Sequence, residues 1–359
     1  MNQTRTYGVE FEIKGNRARI ASAIQAAGVD LNNSFSYHHN LEGGNSRWEL
    51  KSDSTVNGGM EIVSPKLVGD EGLEEIKIVL DAINSAGATV DTQCGTHIHL
   101  GMNQEIEAGE KVVRKVARNV EMISTRYAHS INQIVSKSRR NVQWCATKTS
   151  SIRVDGYDCQ RWTARNIASE LEAIREDFKN TRYMDWTERS PAFRTRYRAV
   201  NMTNLIKAVR AYRRTGSLHG TLPTIEIRIH QGTTDVTKIT NWIKLWQAIF
   251  ETATTARPMT ANVIWKDRGT NELKYFLHNV LKNGTDAEEK KMLTKFFVGR
   301  AKVLNGSNLN AKGETREMRQ SRLDWISSVL QISPELNSAT RTTLLSVNRE
   351  MEALTLSPR

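Results

Sequence analysis

Cysteine is scarce in this chain: Cys94, Cys145 and Cys159 are its only three. The number is odd and no two stand at CxxC spacing, so neither a disulfide framework nor a structural zinc knuckle is expected. A reducing, cytoplasmic setting fits that pattern. No apolar run approaches the roughly 18 to 20 residues that cross a bilayer, so no membrane partner is expected. The opening MNQTRTYGVEFE has no apolar core of the kind a signal peptide needs, and it reads as a strand. Internal repeats and low-complexity tracts are absent. So is GxxxxGK[ST], which excludes a P-loop enzyme, and so is the protein-kinase signature set.

What remains is a chain of 359 residues, 38% apolar and 25% charged, enough for one large or two ordinary domains around a sizeable core. The net charge of +12 is unevenly spread. Residues 1–101 hold eight Lys/Arg against thirteen Asp/Glu, which leaves −5 there and +17 in the remainder. An acidic N-terminal part suits cations. A basic remainder suits a nucleotide, an acidic substrate or an anionic macromolecule, although a basic surface can also serve solubility alone.

Pattern along the chain mixes short strands with long helices and shows no regular βαβ alternation, which points to α+β with a largely antiparallel sheet. TYGVEFEIKG reads as a strand, and RARIASAIQAAG as a helix closed by Gly28. Residues 30–47 are polar and read as a loop, a candidate lid. RWELKSD and GMEIVSP are strands around an NGG hairpin signal. Asp70 is expected to cap a helix carrying Leu73, Ile76, Val79, Leu80 and Ile83 on one face. ATVDT and THIHLGM read as two more strands. One long helical stretch is expected over 105–137 and another over 163–180. RYRAVNM and TIEIRIHQG are later strands, followed by an amphipathic helix over Val236–Thr252. Beyond about residue 257 the pattern is helical with a loose connection near 304–313. The expected division is a catalytic domain over 1–255 and a helical extension over 256–359.

Several strands carry polar residues two apart, which places them on one face. Glu10 and Glu12 do so in GVEFE, His97 and His99 in GTHIHLG, and Glu226, Arg228 and His230 in EIRIH. Glu61 opens the apolar run of GMEIVSP. An antiparallel sheet can leave such a face in water. Here, however, the repeated choices are Glu and His, the ligands of hard and borderline cations. An arginine on the same face can neutralise a transferring phosphoryl group. The set therefore suggests metal-assisted phosphoryl transfer on a sheet face. Cys94 beside GTHIH reads as a packing residue, and the adjacent His38 and His39 as loop residues.

Taken in order, these strings resemble the phage and bacterial amidoligase family, a branch of the superfamily that holds glutamine synthetase and glutamate–cysteine ligase. The resemblance covers about residues 5–250 and implies a curved, largely antiparallel sheet with flanking helices. It also implies ATP and Mg²⁺ (or Mn²⁺) as cofactors. Glu10 and Glu12 in GVEFE would be metal ligands. WELKSDSTVNGGMEIVSP would bring Asp53 and Glu61 to the site, Glu61 as a ligand. His97 would face metal or phosphate and His99 the substrate. In SRRNVQWC either Arg139 or Arg140 would contact phosphate. RYRAVNM would bring Arg196, Tyr197 and Asn201 near the site, Arg196 and Asn201 to the nucleotide. In TIEIRIHQGT, Glu226 would bind metal and Arg228 the phosphoryl group. The implied reaction passes the γ-phosphoryl of ATP to a carboxylate, and an amine then displaces phosphate, with a nearby carboxylate as general base. The carboxylate, the amine and the oligomeric state are not readable.

Two other functions suit the same residues. One is a catalytically inactive protein on this fold that binds nucleic acid, with salt-sensitive affinity and no response to ATP. The other is a metal-dependent hydrolase. The intact set of Glu10, Glu12, Glu61, His97, Glu226 and Arg228 argues against the first, since unused buried charges are costly. Arg228 argues against the second, because a phosphoryl donor needs it more than attack by water does.

Overall fold

The computed structural model describes residues 4–33, 46–53, 55–140, 145, 172, 174, 196–256, 272–283 and 285–305. Residues 34–45 of the expected 30–47 loop, with His38 and His39, the 304–313 connection beyond Asn305 and most of the 163–180 stretch lie outside them, while Leu31–Asn32 at the start of that loop form a short strand. Of that last stretch Glu172 and Ile174 are described, both helical.

The architecture is α+β. Eight strands form one open sheet among the described residues: β1 (Thr6–Lys14), β2 (Leu31–Asn32), β3 (Trp48–Asp53), β4 (Gly59–Val63), β5 (Leu67–Val68), β6 (Gly95–Gly101), β7 (Val200–Asn201) and β8 (Thr224–Gln231). Their order is β2-β3-β4-β1-β6-β8-β7. Only β2 and β3 run parallel. The first strand of the chain thus lies in the middle, with β4 and β5 following one another along one edge of it and β6 along the other.

Between β4 and β5 the ladder is interrupted at Ser64-Pro65, and Pro65 has no N–H to offer. Ser64 fills the gap. Its backbone N–H donates to Val9 O at 2.9 Å, and its hydroxyl accepts from Val9 N at 2.9 Å while donating to Pro65 O at 2.8 Å. No central-strand amide is left bare at the bend.

The helices are α1 (Arg17–Ala26), α2 (Gly69–Ser85), α3 (Asn103–Glu107), α4 (Glu110–Arg126), α5 (Ala128–Gln133), α6 (Thr203–Thr215), α7 (Val236–Thr255), α8 (Glu272–Val280) and α9 (Ala287–Asn305), with a 3₁₀ turn at Lys137–Arg139. Strand alternation sends Val9, Phe11 and Ile13 of β1, Leu50, Ile62, Ile98, Leu100, Ile225 and Ile227 into one core. The apolar stripes of α1, α2, α4 and α7 complete it, through residues such as Ile20, Ile76, Val120 and Trp246. Each fully buried aliphatic side chain contributes roughly 1.5–3 kcal/mol. This layer, rather than the charged face opposite, holds the sheet together.

The structure redraws several expected elements. Asp70 lies inside the first turn of α2; the cap position is Val68, which offers no side-chain bond. Gly69, at φ 60°, supplies the turn into the helix. The stretch expected to be one helix over 105–137 is divided into α3, α4, α5 and the 3₁₀ turn, with Gly109 at φ 107° marking the first break. ATVDT does not form a strand beyond a single bridge of Thr89 to Lys14. Asp91 there accepts from Gln93 N at 2.9 Å and pairs with Lys14 at 2.7 Å, a turn that competes with strand pairing. Helices α8 and α9 pack Leu277, Leu293 and Phe297 into the same core as the sheet.

Candidate functional site

The register of the sheet assembles the polar face. Glu12 of β1 lies opposite Glu61 of β4, and Glu61 opposite Lys51 of β3. Glu10 lies opposite His97 of β6. His99 lies opposite Glu226 of β8, and Glu226 opposite Asn201 of β7. Directly opposed residues have Cβ atoms about 4.5–5.5 Å apart, so the pairing alone brings these groups within reach of one another.

The side chains close the distances. His97 Nδ1 is 3.1 Å from Glu10 Oε2 and 3.4 Å from Glu226 Oε1, and its Nε2 is 3.6 Å from Glu12 Oε1. His99 Nε2 is 2.9 Å from Glu10 Oε1, and its Nδ1 is 3.1 Å from Thr224 Oγ1. Gly95 N donates to Glu12 Oε2 at 2.6 Å, and Asn201 Nδ2 donates to Glu226 Oε2 at 2.6 Å. Arg228 is bonded to Glu226 and its Nη1 lies 3.5 Å from His97 Nδ1. Glu12, His97, His99 and Glu226 are buried.

A bulge contributes to this aim. Thr96 pairs with His230 but Ile98 with Ile227, so β8 carries one extra residue opposite His97. Alternation is lost past Arg228. His230, expected on the face with Glu226 and Arg228, instead packs against Trp242 of α7 with ring centroids 4.8 Å apart.

Charge is crowded here. Burial works against ionising Glu10, but the facing His99 and His97 prevail and hold its carboxyl well below the usual range. Glu61 goes the other way. Burial, then the charges of Glu10, Glu12 and Asp53, push its carboxyl well above the ordinary value, and Lys51 offsets only part of this. For His99, burial opposes the imidazolium but Glu10 outweighs it, so its pKa rises.

Among the described residues, two groups of donor atoms have metal-site dimensions. Glu10, Glu61 and His97 form one, and Glu10, His99 and Glu226 the other, each with all atoms within 4.8 Å. They share Glu10. Carboxylates with an imidazole are a donor set for Mg²⁺ or Mn²⁺. A divalent cation would also relieve the repulsion that raises Glu61.

The adjacent arginines have different surroundings. Arg140 donates from Nε and Nη2 to Val135 O and from Nη1 to Asn305 Oδ1 at 2.7 Å, so it fastens the turn to α9. Arg139 is buried beside Gly95 and His97, and its Nε and Nη2 find no hydrogen-bond partner among the described residues. A buried guanidinium with unmet donors is suited to an anion.

The remaining expected positions are less involved. Asp53 lies at the hairpin end of β3, where its Oδ1 accepts from Thr55 N and Oγ1, each at 2.7 Å. Arg196 and Tyr197 are exposed and face each other, with 5.6 Å from guanidinium to ring centroid. Arg198, between them and β7, is buried and pairs with Glu121 of α4 at 3.2 Å. Lys51 and Thr224 belong to the assembled face, though sequence reasoning did not single them out. Lys51 shares the alternation of Glu49 and Asp53, which was the available signal.

The sequence model of a family described as "Putative amidoligase enzyme" matches residues 3–250. That span is well over half of the chain and contains every residue of the polar face. The chain belongs to the amidoligase family. It is accordingly a ligase-type enzyme. The match ends within α7, so α8 and α9 of this amidoligase lie beyond it. A search of curated proteins finds no match. Among the described residues no helix is long and apolar enough to cross a membrane.

Proposed function

We propose that this amidoligase is an ATP- and divalent-cation-dependent ligase that joins a carboxylate to an amine through an acyl phosphate. The observation that carries the reading is the pair of donor groups sharing Glu10, flanked by the guanidinium groups of Arg228 and Arg139. Glu10, Glu12, Glu61, His97 and Glu226 would hold Mg²⁺ or Mn²⁺. Bound there, the cations would offset the charge on the phosphates of ATP.

The chain's own residues do the rest. Arg228, held by Glu226, presents a fixed positive charge to the transferring phosphoryl group. Arg139 supplies two unmet donors to a phosphate oxygen. Arg196, exposed at the edge of the sheet, is placed to meet the nucleotide from outside. Asn201 fixes Glu226, and Thr224 fixes the ring of His99 toward the carboxylate substrate. Asp53, at the open end of the β3–β4 hairpin, is assigned the proton of the attacking amine. Residues 1–255 form the glutamine synthetase-like catalytic unit on this reading, and 256–359 its helical extension. A reducing, cytoplasmic setting accords with Cys94 and Cys145, which are free and buried.

Isothermal titration with a non-hydrolysable ATP analogue tests this directly. Binding that requires Mg²⁺ or Mn²⁺ and is lost in Glu226→Ala is the expected result. Equal affinity with and without metal, or in Glu226→Ala, would overturn the metal-site assignment.

A further inference from the structure

Helices α8 and α9 lie outside the family match and form a cleft of their own. Its volume is about 720 Å³. Among the described residues, the charged and titratable ones that line it are Lys274, Lys290, Lys291, Lys295, Lys302 and His278, with no carboxylate. The remainder of the lining is small or apolar, as in Ala287, Val298 and Gly299. Nearby acid is turned to other uses: Glu289 pairs with Lys244 of α7 at 2.8 Å, and Asp286 accepts from the N–H groups of Glu288 and Glu289 at the start of α9.

The ammonium groups of Lys290, Lys291, Lys295 and Lys302 share one cleft and repel one another unless an anion sits between them. From Lys290 to Lys302 they span about 18 Å of α9 at 1.5 Å per residue, too long a row for one mononucleotide. Apart from the imidazole of His278, the described lining has no arginine, Phe, Tyr or Trp, so it offers point charges and little platform for bases. Such a surface reads a phosphate backbone and not a sequence.

We propose that the cleft between α8 and α9 is a docking site for the phosphate backbone of nucleic acid, independent of base sequence. This stands apart from the ligase reading, since none of its residues touches the polar sheet face. It gives the amidoligase a second anionic contact beside its catalytic one.

The test is fluorescence anisotropy of the full chain with a labelled mixed-sequence oligonucleotide, across a salt series. Two variants are compared, each reversing three exposed charges. One carries Lys291→Glu, Lys295→Glu and Lys302→Glu in the cleft. The other carries Lys207→Glu, Arg213→Glu and Arg214→Glu on α6. Net charge changes equally in both. The cleft variant should lose at least tenfold in affinity, and its salt dependence should flatten by about three phosphate contacts, each worth a slope of roughly 0.7–0.9. The α6 variant should change by less than twofold. In the wild type, oligonucleotide should protect Lys291, Lys295 and Lys302 from acetylation.

Equal losses in the two variants would reduce the effect to net charge and overturn the proposal. Absence of binding by the wild-type chain would do the same, and would point to the cleft being filled from within the chain. Displacement of the oligonucleotide by poly-aspartate at matched charge would show a site for any polyanion, and would overturn the assignment to nucleic acid.

Discussion

A single methyl group at Gly95 would disturb two site residues at once. A Cβ built there overlaps Arg139 Nη2 and comes within 3.0 Å of His97 Nε2. The arginine end is flexible and can withdraw, so Gly95→Ala should change the melting temperature little. Misplacing a charge by about 1 Å in a catalytic site can cost on the order of a hundredfold. Metal-dependent affinity for an ATP analogue should therefore fall about ten- to a hundredfold, measured by titration; unchanged affinity would remove Arg139 from the site. His230 gives a second expectation at this scale. Burial first, and the charge of Arg300 second, lower its pKa from 6.5 to about 3. The folded chain thus binds fewer protons than the unfolded one between those values. The stability concerned is present above pH 6.5 and is lost as pH falls toward 3, by on the order of 1 kcal/mol per pH unit. The melting temperature of His230→Phe should fall less steeply than that of the wild type over that window. Parallel profiles would mean that His230 protonates without strain.

Elements were legible in the sequence wherever one face had to be apolar. Glu10 with Glu12, His97 with His99 and Glu226 with Arg228 could be placed because their strands alternate against Val9, Phe11, Ile98, Ile225 and Ile227, and the register then brought them together. Where no period governs, the sequence was silent or misleading. Arg139 ends a 3₁₀ turn and Arg140 caps it, and it takes the bonds of Arg140 to Val135 O and to Asn305 on α9 to separate them. The bulge in β8 turned His230 away, since alternation cannot reveal one inserted residue. Lys51 was passed over because lysine on a strand ordinarily faces water. The break at Ser64-Pro65 has a measurable consequence of its own. In Ser64→Ala the Val9 N–H loses its acceptor in a buried position, at a cost of about 1–3 kcal/mol. Urea unfolding should show that loss in the midpoint; an unchanged midpoint would mean that water replaces the hydroxyl.

For the whole molecule, one buried side chain helps to fasten the last described helix to α5 and the turn that follows it. Asn305 accepts from Arg140 at 2.7 Å and donates to Gln133 O at 3.0 Å, all in buried surroundings. Asn305→Ala leaves one guanidinium nitrogen without that acceptor and should destabilise the chain by about 1–3 kcal/mol. Because Arg140 adjoins Arg139, nucleotide affinity should weaken as well, although residue 305 touches no ligand. A variant that loses stability yet binds as well as the wild type would show that the turn keeps its shape without the clamp.

The central place of β1 also orders events in time. Its two long neighbours, β4 and β6, both lie within the first 101 residues, so the middle of the sheet can close before the rest of the chain has left the ribosome. That early stretch contains Glu10, Glu12, Glu61, His97 and His99, whereas Glu226, Arg228 and Arg139 arrive later. A nascent chain would thus gather carboxylates well before the guanidinium groups that balance them. Docking of Arg228 and Arg139 onto that acidic patch should then be a late event, and ionic strength in the refolding buffer should slow it.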